Sequence, residues 1–336
     1  DDASVDTSFH TGDRIVFAET DGNTTVTITG TVKPQSMSVT GGDYIFNAGT
    51  DGTIAGSSAL TMTGGSLTMN LANAGWDGAI DVTDSELKFG EQSLGTGRIT
   101  LHDGAVLTWL AGNEEDISSR LAWEEDAAIS LGVAGGSDEV TFGTSAAHAA
   151  HITKLGDGTL TLNAAGRLSG TIAVGTTEKA GGTLKLSGGG SGGGAFKGDI
   201  SVINGTLLMA AVDVTGWNSN NALNTSGIRV EEQGRVQVDA RQTFFKLLLT
   251  LKGGTVTGTA GFDLFGDGAS VVTEASDRQA EIATAIGLRQ NDTVFNIADG
   301  ASAVDLLVSG TIKNNVDANA AGNHNFIKQG DGYLKI

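Results

Sequence analysis

The stretch His151–Val174, HITKLGDGTLTLNAAGRLSGTIAV, decides the fold. Its phrase Lys154-x-Gly156-Asp157-Gly158-x-Leu160 returns almost unchanged in the last residues of the chain, Phe326–Ile336, FIKQGDGYLKI. A catalytic motif is normally written once, whereas a recurring phrase marks a structural unit. In both copies a short glycine-rich turn leads into alternating aliphatic and polar residues, which is the pattern of a strand entered from a tight corner. Gly156, Gly158, Gly330 and Gly332 are therefore expected at corners, where they supply positive φ.

Outward from this stretch, aliphatic residues that open such runs recur at a near-constant interval. Leu184 follows Leu160 by 24 residues and Leu207 follows Leu184 by 23. Val236 and Val256 continue the series, Leu67, Leu87 and Val106 precede it, and Leu334 ends it. A period of about 20–30 residues is the signature of a solenoid. Asn-Gly, the strongest hairpin signal, occurs only at Asn204-Gly205. The pattern therefore predicts stacked coils of parallel strands, each burying its inward side chains against the coils above and below. At about 22 residues per coil, the chain forms one all-β domain over 1–336, a parallel β-helix of roughly 15 coils. Ser276–Ile286 is the one place where a helix competes, through the capping-box spacing of SDRQ, but Ile282, Ile286 and Leu288 fit a strand at least as well.

Composition agrees. Gly accounts for 51 of 336 residues, about twice the usual share. There is one Pro and no Cys, so disulfide and thiol chemistry are excluded. The formal charge of −19 repels phosphate backbones and argues against nucleic acid as a partner. The longest apolar run, Phe244–Leu251, is interrupted by Lys246 and is too short for a membrane span of about 20 residues.

The residues ITKLGDGTLTLNAAGRLSGTIAV and the following GGTLKL resemble the autotransporter-associated β-strand repeat, with its Lys-x-Gly-x-Gly-Thr-Leu-x-Leu opening and later Gly-x-Leu. The likeness is sharpest at 152–186 and 326–336, and weakens at the GGGSGGG of 188–194 and at the acidic 114–126. It implies a right-handed parallel β-helix, exported across the outer membrane and displayed on a bacterial cell surface. It also implies a passenger fragment continuing beyond residue 336, whose membrane attachment would be a C-terminal barrel not contained in this chain. Adhesion and self-association are the activities that the likeness implies, with a second copy of itself, or a host protein or glycan, as partner. A carbohydrate-active β-helix enzyme (lyase or hydrolase) and a purely structural surface protein are the alternatives.

Candidate chemistry is sparse. Asn113, Glu114, Glu115 and Asp116, with Trp123, Glu124, Glu125 and Asp126, form two acidic clusters around Arg120. Carboxylates so grouped can hydrolyse glycosides or bind calcium, and a tryptophan can stack on a sugar ring; the plainer reading is a solvated acidic loop. Trp217, Asn218, Asn220 and Asn221 belong to a longer polar insertion, the kind of loop on which a solenoid carries binding function. These two segments are the expected binding loops. Ser191 in GGSGG formally fits a nucleophile elbow but lacks the strand-turn-helix setting that the elbow requires. His148 and His151 could share a metal only on a helix, and no third ligand stands at a suitable spacing. No catalytic residue, metal or cofactor is expected.

Overall fold

A computed structural model describes residues 9–19, 23–189, 193–217, 224–316 and 323–336. They form a parallel β-solenoid of about 12 turns with almost no helix. The count falls below the expected 15 because several turns are longer than assumed. Leu207 pairs with Val236, 29 residues on, and Thr293 pairs with Phe326, 33 residues on.

One ladder of parallel strands runs the length of the molecule. It starts at Asn23–Ile28, continues through Ser36–Ala48, Ala59–Asn70, Glu86–Phe89, Val106–Trp109, Ala128–Val133 and Ala150–Leu155, and ends at Thr293–Asn296 and Phe326–Gln329. A second ladder occupies the first half, from Arg14–Phe17 to Leu121–Trp123. A third takes over from Glu139–Phe142, and runs through Thr159–Leu162 and Thr183–Leu186 to Leu334–Lys335. A short fourth sheet joins Gln242–Phe245, Gly261–Phe265, Ala285–Leu288 and Ile312–Lys313.

Alternation along each strand sends every second side chain inward, and register stacks these into columns. Val140, Leu160, Leu184, Leu207, Val236, Val256, Ile282 and Val308 form one such column, all buried. Leu160, Leu184 and Leu207 thus stack as the periodicity predicts. Leu67 and Leu87 belong to another column, on the long ladder, where their next neighbour is Leu107. Val106 points outward, because the glycine before that strand is one residue farther away than the motif suggests. Leu334 pairs with Leu306, not with Val308.

The Gly-Asp-Gly corners divide the work between their two glycines. Gly156 and Gly330 have φ of 78° and 76°, conformations that cost other residues strain. Gly158 and Gly332 do not lie in the left-handed region, contrary to expectation. Instead, a Cβ on Gly158 would sit 2.4 Å from the carbonyl oxygen of Gly135, and one on Gly332 would sit 2.2 Å from that of Ala298. The first glycine turns the chain and the second lets two coils touch. The region of the suspected helix is strand at Ala280–Ile282 and Ala285–Leu288.

Candidate functional site

The acidic segment after Trp109 is a bracket across three coils. Asn113 is buried and donates from Nδ2 to the carbonyl of Phe89, 3.0 Å away on the preceding coil. Glu115 accepts the amide of Gln92 at 3.0 Å, also on that coil. In the other direction, Glu114 accepts the amide of Glu139 at 2.9 Å and Asp116 accepts that of Gly143 at 2.9 Å. Arg120 donates to the carbonyls of Leu94 and Gly97 at 3.1 and 2.9 Å, and lies 3.5 Å from Glu115. Burial pulls the Arg120 guanidinium below its ordinary pKa, and the Glu115 carboxylate opposes that shift. Carboxylates that accept backbone amides make charge-assisted bonds worth about 1.5–3 kcal/mol each.

This corrects the reading of Asn113 and Trp123 as exposed binding residues. Trp123 is 2% exposed and its indole donates to the carbonyl of His148 at 2.6 Å. Trp109 is likewise inside, bonded to the carbonyl of Glu115 at 2.9 Å. Neither ring is free to stack on a sugar. Their positions follow from strand alternation, which turns both indoles into the core. The bracket did have a sequence signal. Asn113 accepts the amide of Glu115, and Asp116 accepts that of Ser118, each two residues on, as short polar side chains do in tight turns.

The second cluster is different. Glu124, Glu125 and Asp126 form an exposed turn with Asp126 at φ 59°. Glu124 lies 2.8 Å from Nδ1 of His102, whose Nε2 is 3.6 Å from Asp81. These three residues stand on successive coils. The structure does not bring Glu114 and Glu115 together with Glu124 and Glu125 into one convergent site. Trp217 is 39% exposed at the start of its insertion; Asn218, Asn220, Asn221 and Ser191 lie outside the described residues. His151 sits on a strand, with Nδ1 2.8 Å from the hydroxyl of Thr171. Among the described residues, no group of three or more His, Cys, Asp or Glu is placed to hold a metal.

Sequence reasoning missed the role of Lys154. It occupies an inward column of the long ladder, between Leu131 and Val174, and is fully buried. Its Nζ shares three N–H donors among the carbonyls of Leu155, Gly156, Gly158 and Gly181 at 2.9, 3.2, 2.8 and 2.8 Å. Burial pushes its pKa down to about 7, against the pull of Asp157. The lysine of the recurring phrase is thus an internal staple that ties its own corner to the next coil. Lys328, its counterpart, donates to the carbonyl of Gly330 at 2.6 Å from an exposed position.

Outward rows carry ion pairs that likewise span coils. Lys185 meets Glu139 at 2.8 Å and Arg229 meets Glu274, while Glu231 on the same strand holds Arg229 at 2.7 Å. Hydrogen bonds from Lys185 and Thr161 hold the Glu139 carboxyl below the usual range; Arg229 does the same for Glu274. Fold and side-chain geometry together define the class: an elongated β-solenoid whose polar residues mostly fasten coil to coil. No family model matches the chain, and no curated protein or solved structure matches it.

Proposed function

We propose that this chain is a passenger displayed on a bacterial surface, acting in adhesion or cell–cell self-association as an elongated binding and stalk module. The observation that carries this reading is the use of side chains. The carboxylates of Glu114, Glu115 and Asp116, the Trp123 indole and Lys154 are engaged with neighbouring coils. What faces outward is a set of long, flat rows of hydroxyls and paired charges, repeated at about 4.8 Å per coil. Such rows suit many weak contacts, individually about 1 kcal/mol, that act through number.

The charge is uneven. Residues 1–157 carry 23 acidic and 6 basic side chains, and residues 158–336 carry 16 and 14. Side-by-side association must therefore overcome repulsion concentrated in the first half, and added salt or divalent cations should strengthen it. The test is display of the parent protein on bacteria, scored for aggregation and for adhesion to host cells. Cells should clump or adhere, more so at higher ionic strength. Replacing the exposed Glu124–Asp126 turn by a glycine-serine turn should change that response without unfolding the stack. Displaying cells that neither aggregate nor adhere at any ionic strength overturn the proposal.

A further inference from the structure

The first three strands of the short fourth sheet are largely buried on both faces, and a strap of chain covers their outer side. Asp263 lies on the middle of that outer side, beside Thr243 of the preceding coil and Gly287 of the following one. It is 0% exposed. Its Oδ1 accepts the amide of Val316, 53 residues later, at 2.7 Å. The chain leaving strand Ile312–Lys313 thus folds back over Gly287 to reach it. Gly287 has to be glycine, since a Cβ there would lie 1.9 Å from Asp263 Oδ1 and 2.6 Å from the amide of Val316.

The other oxygen, Oδ2, is buried without a hydrogen-bond partner among the described residues. It points between two guanidiniums that stop short of bonding distance, Arg241 at 3.7 Å and Arg289 at 3.9 Å. Each is restrained elsewhere. Arg241 reaches Asp213 at 3.3 Å and the Thr243 hydroxyl at 3.2 Å, and Arg289 stacks 4.5 Å from the centre of the Phe265 ring. The strap itself brings Lys313, and Asn314 accepts the amide of His324, whose ring lies 3.2 Å from Asn291.

We propose that residues 313–316 are a proton-linked strap, held down over Asp263 when its carboxyl is neutral and loosened when it ionises. The physical reason is that docking the strap removes water from a carboxylate that no donor fully replaces. Desolvation accordingly raises the Asp263 carboxyl above its ordinary value, and the Asp213 charge adds to the rise. The Val316 amide, Arg289 and Arg241 pull against it. The sign follows from linkage. Where the drying imposed by the strap outweighs the pull of its Val316 amide, the docked state binds a proton more tightly than the undocked one, so docking is favoured at low pH. It weakens as pH rises from the carboxyl's value with the strap lifted to its value with the strap docked, at most tenfold in the opening constant per pH unit, and is level above that. Lifting the strap presents Asp263 to solvent between two arginines that are already partly exposed.

The test is hydrogen exchange at the Val316 amide in the full chain across pH 4–8, with each rate divided by the intrinsic rate at that pH. The parent should show an opening constant that rises with pH and then levels. Asp263→Asn, neutral at every pH, should show a flat one. Arg289→Gln removes a charge that lowers the carboxyl, so its rise should extend to higher pH, which keeps the proposal testable should the Asn variant fail to fold. Gly287→Ala should leave Val316 unprotected throughout. A parent whose opening constant is independent of pH overturns the proposal, as does an unchanged profile in either charge variant.

Discussion

Replacing Lys154 by Met should separate the staple from its stem. Met keeps an unbranched chain in the column between Leu131 and Val174, so no large cavity opens. What goes is the ammonium and its bonds to the carbonyls of Leu155, Gly156, Gly158 and Gly181. Each buried carbonyl left without its donor costs about 1–3 kcal/mol. Relief from drying the ammonium offsets part of that, leaving a net loss of about 2–4 kcal/mol near neutral pH. The pH dependence has a definite sign. The folded lysine, pushed down to about 7 from its ordinary 10.5, gives up its proton earlier than the unfolded one. Between those values the unfolded chain binds more protons, so the parent gains stability as pH rises, and the Met variant does not. The gap should therefore widen from pH 7 to pH 9. Denaturant unfolding followed by circular dichroism reads the total. Exchange at the Thr183 amide, which donates to Gly158 at 3.2 Å, reads the corner itself, as long repeat arrays need not unfold in one step. Lys328→Met is the control: the same phrase in an exposed setting should change stability by less than about 0.5 kcal/mol. A Lys154→Met variant as stable as the parent refutes the staple, and a gap that shrinks as pH rises refutes the lowered pKa of the buried lysine.

The remaining expectations concern the corners, the column and the bracket. Gly158→Ala should cost at least about 1 kcal/mol through contact with the Gly135 carbonyl, and a D-alanine placed there by synthesis should not rescue it, whereas one at Gly156 should be tolerated better, φ being 78°. Leu184→Ala should cost about 2–5 kcal/mol, since it empties the middle of a dry column; thermal unfolding measures both. Asp116→Ala should expose the Gly143 amide to exchange at least tenfold faster while leaving distant coils unchanged, because that carboxylate holds both Ser118 and Gly143.

The fold was legible because its determinants are local and repeated. Val140 to Val308 form one column, and five of its members, Leu160, Leu184, Leu207, Val236 and Val256, carry the same signature of a glycine two residues earlier. Legibility failed where a motif could belong to either of two ladders. Leu87 and Leu184 look alike in sequence, yet they sit in different ladders, because the winding exchanges one sheet for another between Trp123 and Glu139. No single-residue pattern encodes that exchange. Coil number was overestimated for the related reason that insertions lengthen turns without disturbing the strands they join.

The candidate site was less legible, and the acidic segment shows why. A run such as Asn113–Asp116 reads as solvated because charge normally seeks water. A solenoid offers another destination. Each corner leaves amides that no strand partner can take, and they recur one coil above and one below. A carboxylate at a corner meets that need in both directions, as Glu115 does toward Gln92 and Asp116 toward Gly143. The same accounting applies with sign reversed to Lys154, which serves orphan carbonyls from inside the stack. Charged residues beside glycine corners in this chain are therefore better read first as fasteners. In the proposed reading, a binding role falls to those that face outward at a turn, Glu124, Glu125 and Asp126, where a partner's donors would reach the carboxylates.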